Sequence, residues 1–154
     1  MTEAAPIPAV RTYEVRAEST ATFGRVECAV RQHRFAVDGP VQNGCPGEAP
    51  TPGELFLSAA AACGAEVLQV LARDGGVRLD HVAVDVRGSI DKARQPRTDV
   101  TVFTDVELRL YLVGPTPDQA AALVAGFQGR CPVYGSLAVA SGRIAVHHTT
   151  KPGE

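Results

Sequence analysis

The chain has 154 residues, 45% of them hydrophobic and 21% charged, and a formal net charge of −2. That length suits one domain, and that composition suits an ordinary soluble globular fold. The charge offers no electrostatic case for nucleic acid or an anionic membrane as partner.

Residues 1–10 are rich in Ala and Pro and read as a flexible tail, leaving 11–154 as a single domain. The same tail lacks the basic region and apolar core of a signal peptide, so a cytoplasmic protein with reduced thiols is expected. Alternating and β-branched stretches at 12–17, 22–30 and 33–38 predict two or three short antiparallel strands. Residues 39–52, dense in Pro and Gly, form a loop feeding a helix.

That helix dominates the chain. Thr51, Pro52 and Glu54 make a Thr-x-x-Glu capping box with proline at the first helical position. Arg73 complements the far end of the dipole, and Asp74-Gly75-Gly76 stops the run. At ~1.5 Å per residue, Pro52 to Arg73 spans about 33 Å. Residues 58–65 are almost all small, inviting close approach of another backbone, and Cys63 lies among them. Glu54, Ser58, Glu66 and Gln69 interrupt the apolar run, which argues against a membrane span.

Beyond it, 77–91 reads as a strand, 92–98 as a polar turn, and 100–113 as a long strand paired with the previous one. A second helix follows over 118–129, with Ala121, Leu123, Val124 and Phe127 inward. Cys131-Pro132 suits the first turn of a short helix, and a last strand is expected near 143–148. The order predicts an α+β fold with antiparallel sheets packed on a long central helix. A 33 Å helix is awkward in a chain whose radius of gyration is only about 15 Å, so a twofold homodimer is expected.

The cysteines at 28, 45, 63 and 131 form no C-x-x-C pair, which argues against structural zinc. His147 and His148 point to opposite faces of a strand and make no metal pair. Cys28 reads as a small hydrophobe in a sheet and Cys45 as an incidental loop thiol.

Thr51-Pro-Gly-Glu-Leu-Phe-Leu-Ser-Ala-Ala-Ala-Ala-Cys63, taken with Cys131-Pro-Val-Tyr-Gly-Ser-Leu137, resembles the OsmC family, which includes the organic hydroperoxide resistance proteins. The likeness runs from about residue 11 to 148. It implies an intertwined homodimer with two long helices between two sheets. It implies, too, a thiol-dependent peroxidase that reduces organic hydroperoxides, with Cys63 peroxidatic and Cys131 resolving. An external dithiol would restore the pair, and neither metal nor organic cofactor is needed. A non-enzymatic small-molecule-binding protein and a thiol redox sensor are the alternatives.

The family's peroxidases usually carry a glutamate after the helix-start proline, orienting an arginine that activates the thiolate. Here Gly53 stands there, with Glu54 one residue later, either as substitute or only as cap. Arg25 falls where the family's arginine would, with Arg31 and Arg34 as competitors. The altered start predicts a loosely held arginine and a slower enzyme. Gly64 is expected to loosen the helix beside Cys63. Glu66, three residues past Cys63, is expected to raise that thiol's pKa unless a cation pairs with it.

Overall fold

The computed structural model describes residues 9–140 and 144–153. Residues 1–8 of the expected tail, and Arg143 at the expected start of the last strand, lie outside that range. The chain divides into two compact units, residues 1–52 and 53–154.

The first unit is a three-stranded antiparallel sheet in the order β1 (Arg16–Ser19), β2 (Arg25–Val30), β3 (His33–Asp38). β1 begins later than its sequence pattern suggests. Its register pairs Arg16 with Ala29 and Ser19 with Val26. Arg31, at φ 53°, takes the left-handed conformation that reverses the chain between β2 and β3. The loop after β3 holds one 3-10 turn, Val41–Asn43. It is tied back where Asp38 donates its backbone N–H to the Pro50 carbonyl at 3.2 Å.

All but the first residue of α1, Pro52–Asp74, falls in the second unit, and the helix is one residue longer than the sequence pattern suggests. Ala60, Gly64, Leu68 and Ala72 are its buried residues. Their spacing of four places them in one stripe along the helix. β4 (His81–Ser89), β5 (Asp105–Gly114) and β6 (Ile144–Pro152) form the sheet, with β5 central. β5 alternates cleanly, and its Val106, Leu108, Leu110 and Leu112 are at most 2% exposed. They pack in one core with Leu68 and Ala72 of α1 and with Leu123, Val124 and Phe127 of α2 (Pro117–Arg130).

Two strand expectations change. β5 starts at Asp105 rather than 100, because the Gln95 side chain occupies the backbone groups of Val102. It accepts that residue's N–H at 2.7 Å and donates to its carbonyl at 3.2 Å. β6 pairs parallel to β5, so this sheet is mixed rather than wholly antiparallel. A parallel return needs a crossover of a dozen residues or more, which α2 and α3 (Pro132–Ala140) supply.

By length and composition alone α1 could cross a membrane, since one 18-residue window reaches a mean hydropathy of 1.8. The polar residues that seemed to exclude this are too few among so many Ala, Leu and Val. Only 22% of the residues in that window are fully buried within the chain, and others along α1 are partly covered.

Candidate active site

Cys63 lies midway along α1, one residue before Gly64, which faces β4 and α2. A Cβ built on Gly64 would stand 3.5 Å from Phe127 Cε2 and 3.5 Å from Val84 Cγ2. Gly64 therefore brings the thiol's turn of helix against β4 and α2. It also belongs to the buried stripe.

Cys131 reaches the same place from the other side. α2 starts on a capping box, in which Thr116 Oγ1 accepts the Gln119 N–H and Gln119 Oε1 accepts the Thr116 N–H. The helix ends where the Cys131 N–H donates to the Phe127 carbonyl at 2.9 Å. Pro132 then opens α3 as expected. The Cys131 sulfur accepts the Tyr134 N–H at 3.4 Å, so this residue closes one helix and caps the next. Tyr134 is itself fixed, with its ring 5.1 Å from that of Phe127 and its hydroxyl accepting from Gln128 Nε2 at 3.1 Å. Cys131 is 2% exposed, whereas Cys63 is half-buried.

The two cysteines meet. The Cys131 thiol and the Val133 backbone N–H both act directly on the Cys63 sulfur. Two neighbouring amides at the start of α3 thus serve the two sulfurs, Val133 for Cys63 and Tyr134 for Cys131. Burial, followed by the Cys131 thiol, pushes the Cys63 thiol up to about 11. The Glu66 carboxylate pushes in the same direction, as its position on the helix suggests, and the Val133 N–H opposes. Both thiols are free, so the pair as described is reduced.

Glu54 is not brought to this pair. It lies in the first turn of α1, nine residues and about 13 Å of helix before Cys63. Gly53 beside it faces Phe103, whose Cζ lies 3.6 Å from where a Cβ would stand. Phe103 in turn stacks on Phe56 with ring centroids 5.5 Å apart.

Arg25 belongs to the first unit and is firmly held there. Its Nε donates to Asp38 Oδ1 at 2.7 Å, and one terminal nitrogen donates to Asp38 Oδ2 and to Glu48 Oε2, both at 2.8 Å. The Asp38 side chain is fully buried and also accepts the backbone N–H groups of Glu48 and Ala49, each at 2.9 Å. Arg25 above all holds the Asp38 carboxyl far below the usual carboxylate range, and the two carboxylates keep the guanidinium charged. The loosely held arginine expected from Gly53 is therefore not what this chain has. Sequence reading missed Asp38 and Glu48 because neither lies in a recognisable motif. The alternatives lie elsewhere: Arg34 pairs with Glu27 at 2.7 Å, and Arg31 sits in the turn.

Cys45 is half-buried, its sulfur wedged against Gly24 and Gly39, where neither residue could carry a Cβ without a clash. Among the described residues no group of three or more His, Cys, Asp or Glu side chains could hold a metal ion.

No curated protein matches the chain. Solved structures do. The OsmC-like protein of Mycoplasma pneumoniae superposes with a TM-score of 0.77 at 15% identity, covering 94% of this chain and 99% of that one. An organic hydroperoxide resistance protein from Elizabethkingia anophelis, with thiocyanate bound, gives 0.74 at 16% identity, covering 93% and 100%. The organic hydroperoxide resistance protein OsmC of Legionella pneumophila, also described as a predicted redox protein, gives 0.72 at 22%, covering 91% and 99%. At these identities the likeness establishes the fold. The model of the OsmC-like protein family matches residues 45–144, well over half the chain and a span holding both Cys63 and Cys131, and the chain belongs to that family.

Proposed function

We propose that the protein is a thiol-dependent peroxidase that reduces organic hydroperoxides through Cys63 and Cys131. The observation that carries this reading is the direct approach of two free thiols that are 68 residues apart in sequence, at the start of α3. The Cys63 sulfur attacks the distal peroxide oxygen, the O–O bond breaks, an alcohol leaves, and a sulfenic acid remains. Cys131 condenses with it, water leaves, and a disulfide forms. An external dithiol then reduces that disulfide by exchange. The partly apolar surroundings of Cys63, with Val67 and Val133 in the same cluster, suit an alkyl substituent on the peroxide.

A homodimer is part of this reading. It would cover the apolar length of α1 that the chain leaves open, including Phe56 at 46% exposure.

The test is turnover of tert-butyl hydroperoxide with dithiothreitol, followed by non-reducing peptide mapping. Sustained consumption, its loss in Cys63→Ser, and a Cys63–Cys131 disulfide are the expected results. Full activity in Cys63→Ser, or a disulfide that uses Cys45 instead, overturns the mechanism. The raised Cys63 pKa favours one rival, a redox sensor that forms the same disulfide without rapid cycling. A single stoichiometric oxidation with no turnover would select it.

A further inference from the structure

The disulfide of the proposed cycle must be reopened by an outside thiol, and its two sulfurs stand in unlike places. Cys131 is 2% exposed, whereas Cys63 is half-buried and packs against the core cluster that contains Cys131. The Cys131 backbone is committed on both sides. Its N–H donates to the Phe127 carbonyl at 2.9 Å, and its carbonyl accepts the Gly135 N–H at 2.9 Å. Turning this sulfur towards solvent would break the last link of α2 and the first of α3. A peroxide arriving from outside must already reach the Cys63 sulfur, and a thiol can use the same opening.

The sulfurs differ as leaving groups as well. The Tyr134 N–H donates to the Cys131 sulfur at 3.4 Å, from the first turn of the nine-residue α3. An amide in that position favours negative charge on the atom it faces. Its own side chain holds it there. The Tyr134 ring lies 5.1 Å from the Phe127 ring, and its hydroxyl accepts from Gln128 Nε2 at 3.1 Å. Both partners belong to α2, so this side chain ties the opening of α3 to the helix that ends beside Cys131.

We propose that the external dithiol enters the disulfide at Cys63, and that Cys131 is expelled as a thiolate received by the Tyr134 amide. Exchange depends on which sulfur is reached and on how readily the other leaves, and here both favour the same direction. The incoming thiolate bonds to the Cys63 sulfur. The Cys63–Cys131 bond breaks with its electron pair on Cys131, which then takes a proton from solvent. The second thiolate of the reductant displaces Cys63 in turn. The dithiol leaves as a disulfide, two electrons poorer, and both protein thiols are restored.

This inference rests on the peroxidase reading, and the experiment separates the two. The disulfide is formed with tert-butyl hydroperoxide, treated briefly with mercaptoethanol, quenched with excess N-ethylmaleimide and mapped. Mercaptoethanol should sit on Cys63 and maleimide on Cys131, in roughly tenfold or greater excess over the reverse, the worth of one hydrogen bond to a charged group. Equal labelling, or mercaptoethanol mainly on Cys131, overturns the inference while the peroxidase stands. If no Cys63–Cys131 disulfide forms, both readings fail. The mapping uses the wild type, so it decides the point of entry even where a variant does not fold. Tyr134→Ala, which removes the anchoring ring, should slow reduction of the preformed disulfide by dithiothreitol roughly tenfold. Tyr134→Phe keeps the ring on Phe127 and should recover most of that rate. A merely structural role moves the rate the other way, because a loosened α3 opens the disulfide to the thiol. Reduction of Tyr134→Ala as fast as the wild type, or faster, overturns the role given to Tyr134.

Discussion

Gly64 gives the sharpest test of how α1 is seated. A glycine inside a helix costs about 1 kcal/mol relative to alanine. A Cβ added here would meet Phe127 Cε2 and Val84 Cγ2 at 3.5 Å and Val84 Cγ1 at 3.6 Å. Those are ordinary van der Waals separations, so the methyl enters a site already lined for it, and burying it is worth up to ~0.8 kcal/mol. Gly64→Ala should therefore stabilise the protein by about 1–2 kcal/mol, a rise in Tm of roughly 3–6 °C at this chain length. The paired control is Gly88→Ala on β4. Its Cβ would fall 2.7 Å and 2.9 Å from Phe103 Cδ1 and Cε1 and 3.0 Å from Leu57 Cδ1. That overlap forces Phe103 away from Phe56 and should cost about 1–3 kcal/mol. Calorimetry and urea titration of both variants make the comparison. Should Gly64→Ala lose stability by more than about 1 kcal/mol, the close approach of helix to sheet is tighter than described and the reasoning fails.

Two further predictions concern assembly and the arginine. The isolated chain should sediment as a dimer of about twice its 16.1 kDa at micromolar concentration, because too little of α1 is buried within one chain; a stable, folded monomer would refute this. Asp38 has a depressed folded-state pKa, so its contribution to stability is fully present above the unfolded carboxylate value near 4 and is lost as pH falls below it. Asp38→Asn should remove that acid-dependent part and expose residues 39–50 to protease at neutral pH, and unchanged protection there would show that the buried carboxylate does not fix the loop.

Much of this was legible in the chain because the signals were local. The Thr-Pro start and Gly-Gly stop bound α1 to within one residue, and strict alternation from Val106 marked the core strand. Cys131-Pro132 announced the start of α3 at the residue where it begins. What escaped depended on partners distant in sequence. Gln95 cancels the first residues of the expected strand by taking the hydrogen bonds of Val102, seven residues on. The parallel sense of β6 follows from the path of two helices, which no residue of β6 encodes.

The arginine shows most clearly why site chemistry outruns motif reading. From Gly53 alone one concludes that a carboxylate is missing and that the guanidinium it held is loose. In the folded first unit Arg25 has two carboxylates, one of them fully buried and further held by two backbone amides. Those contacts join β2, the end of β3 and the loop beyond it, three segments whose adjacency no spacing rule foretells. A carboxylate absent from one element can thus be matched by carboxylates on another. The electrostatics do not follow the same rule. An arginine shared between two acids is well oriented but carries a compensated charge.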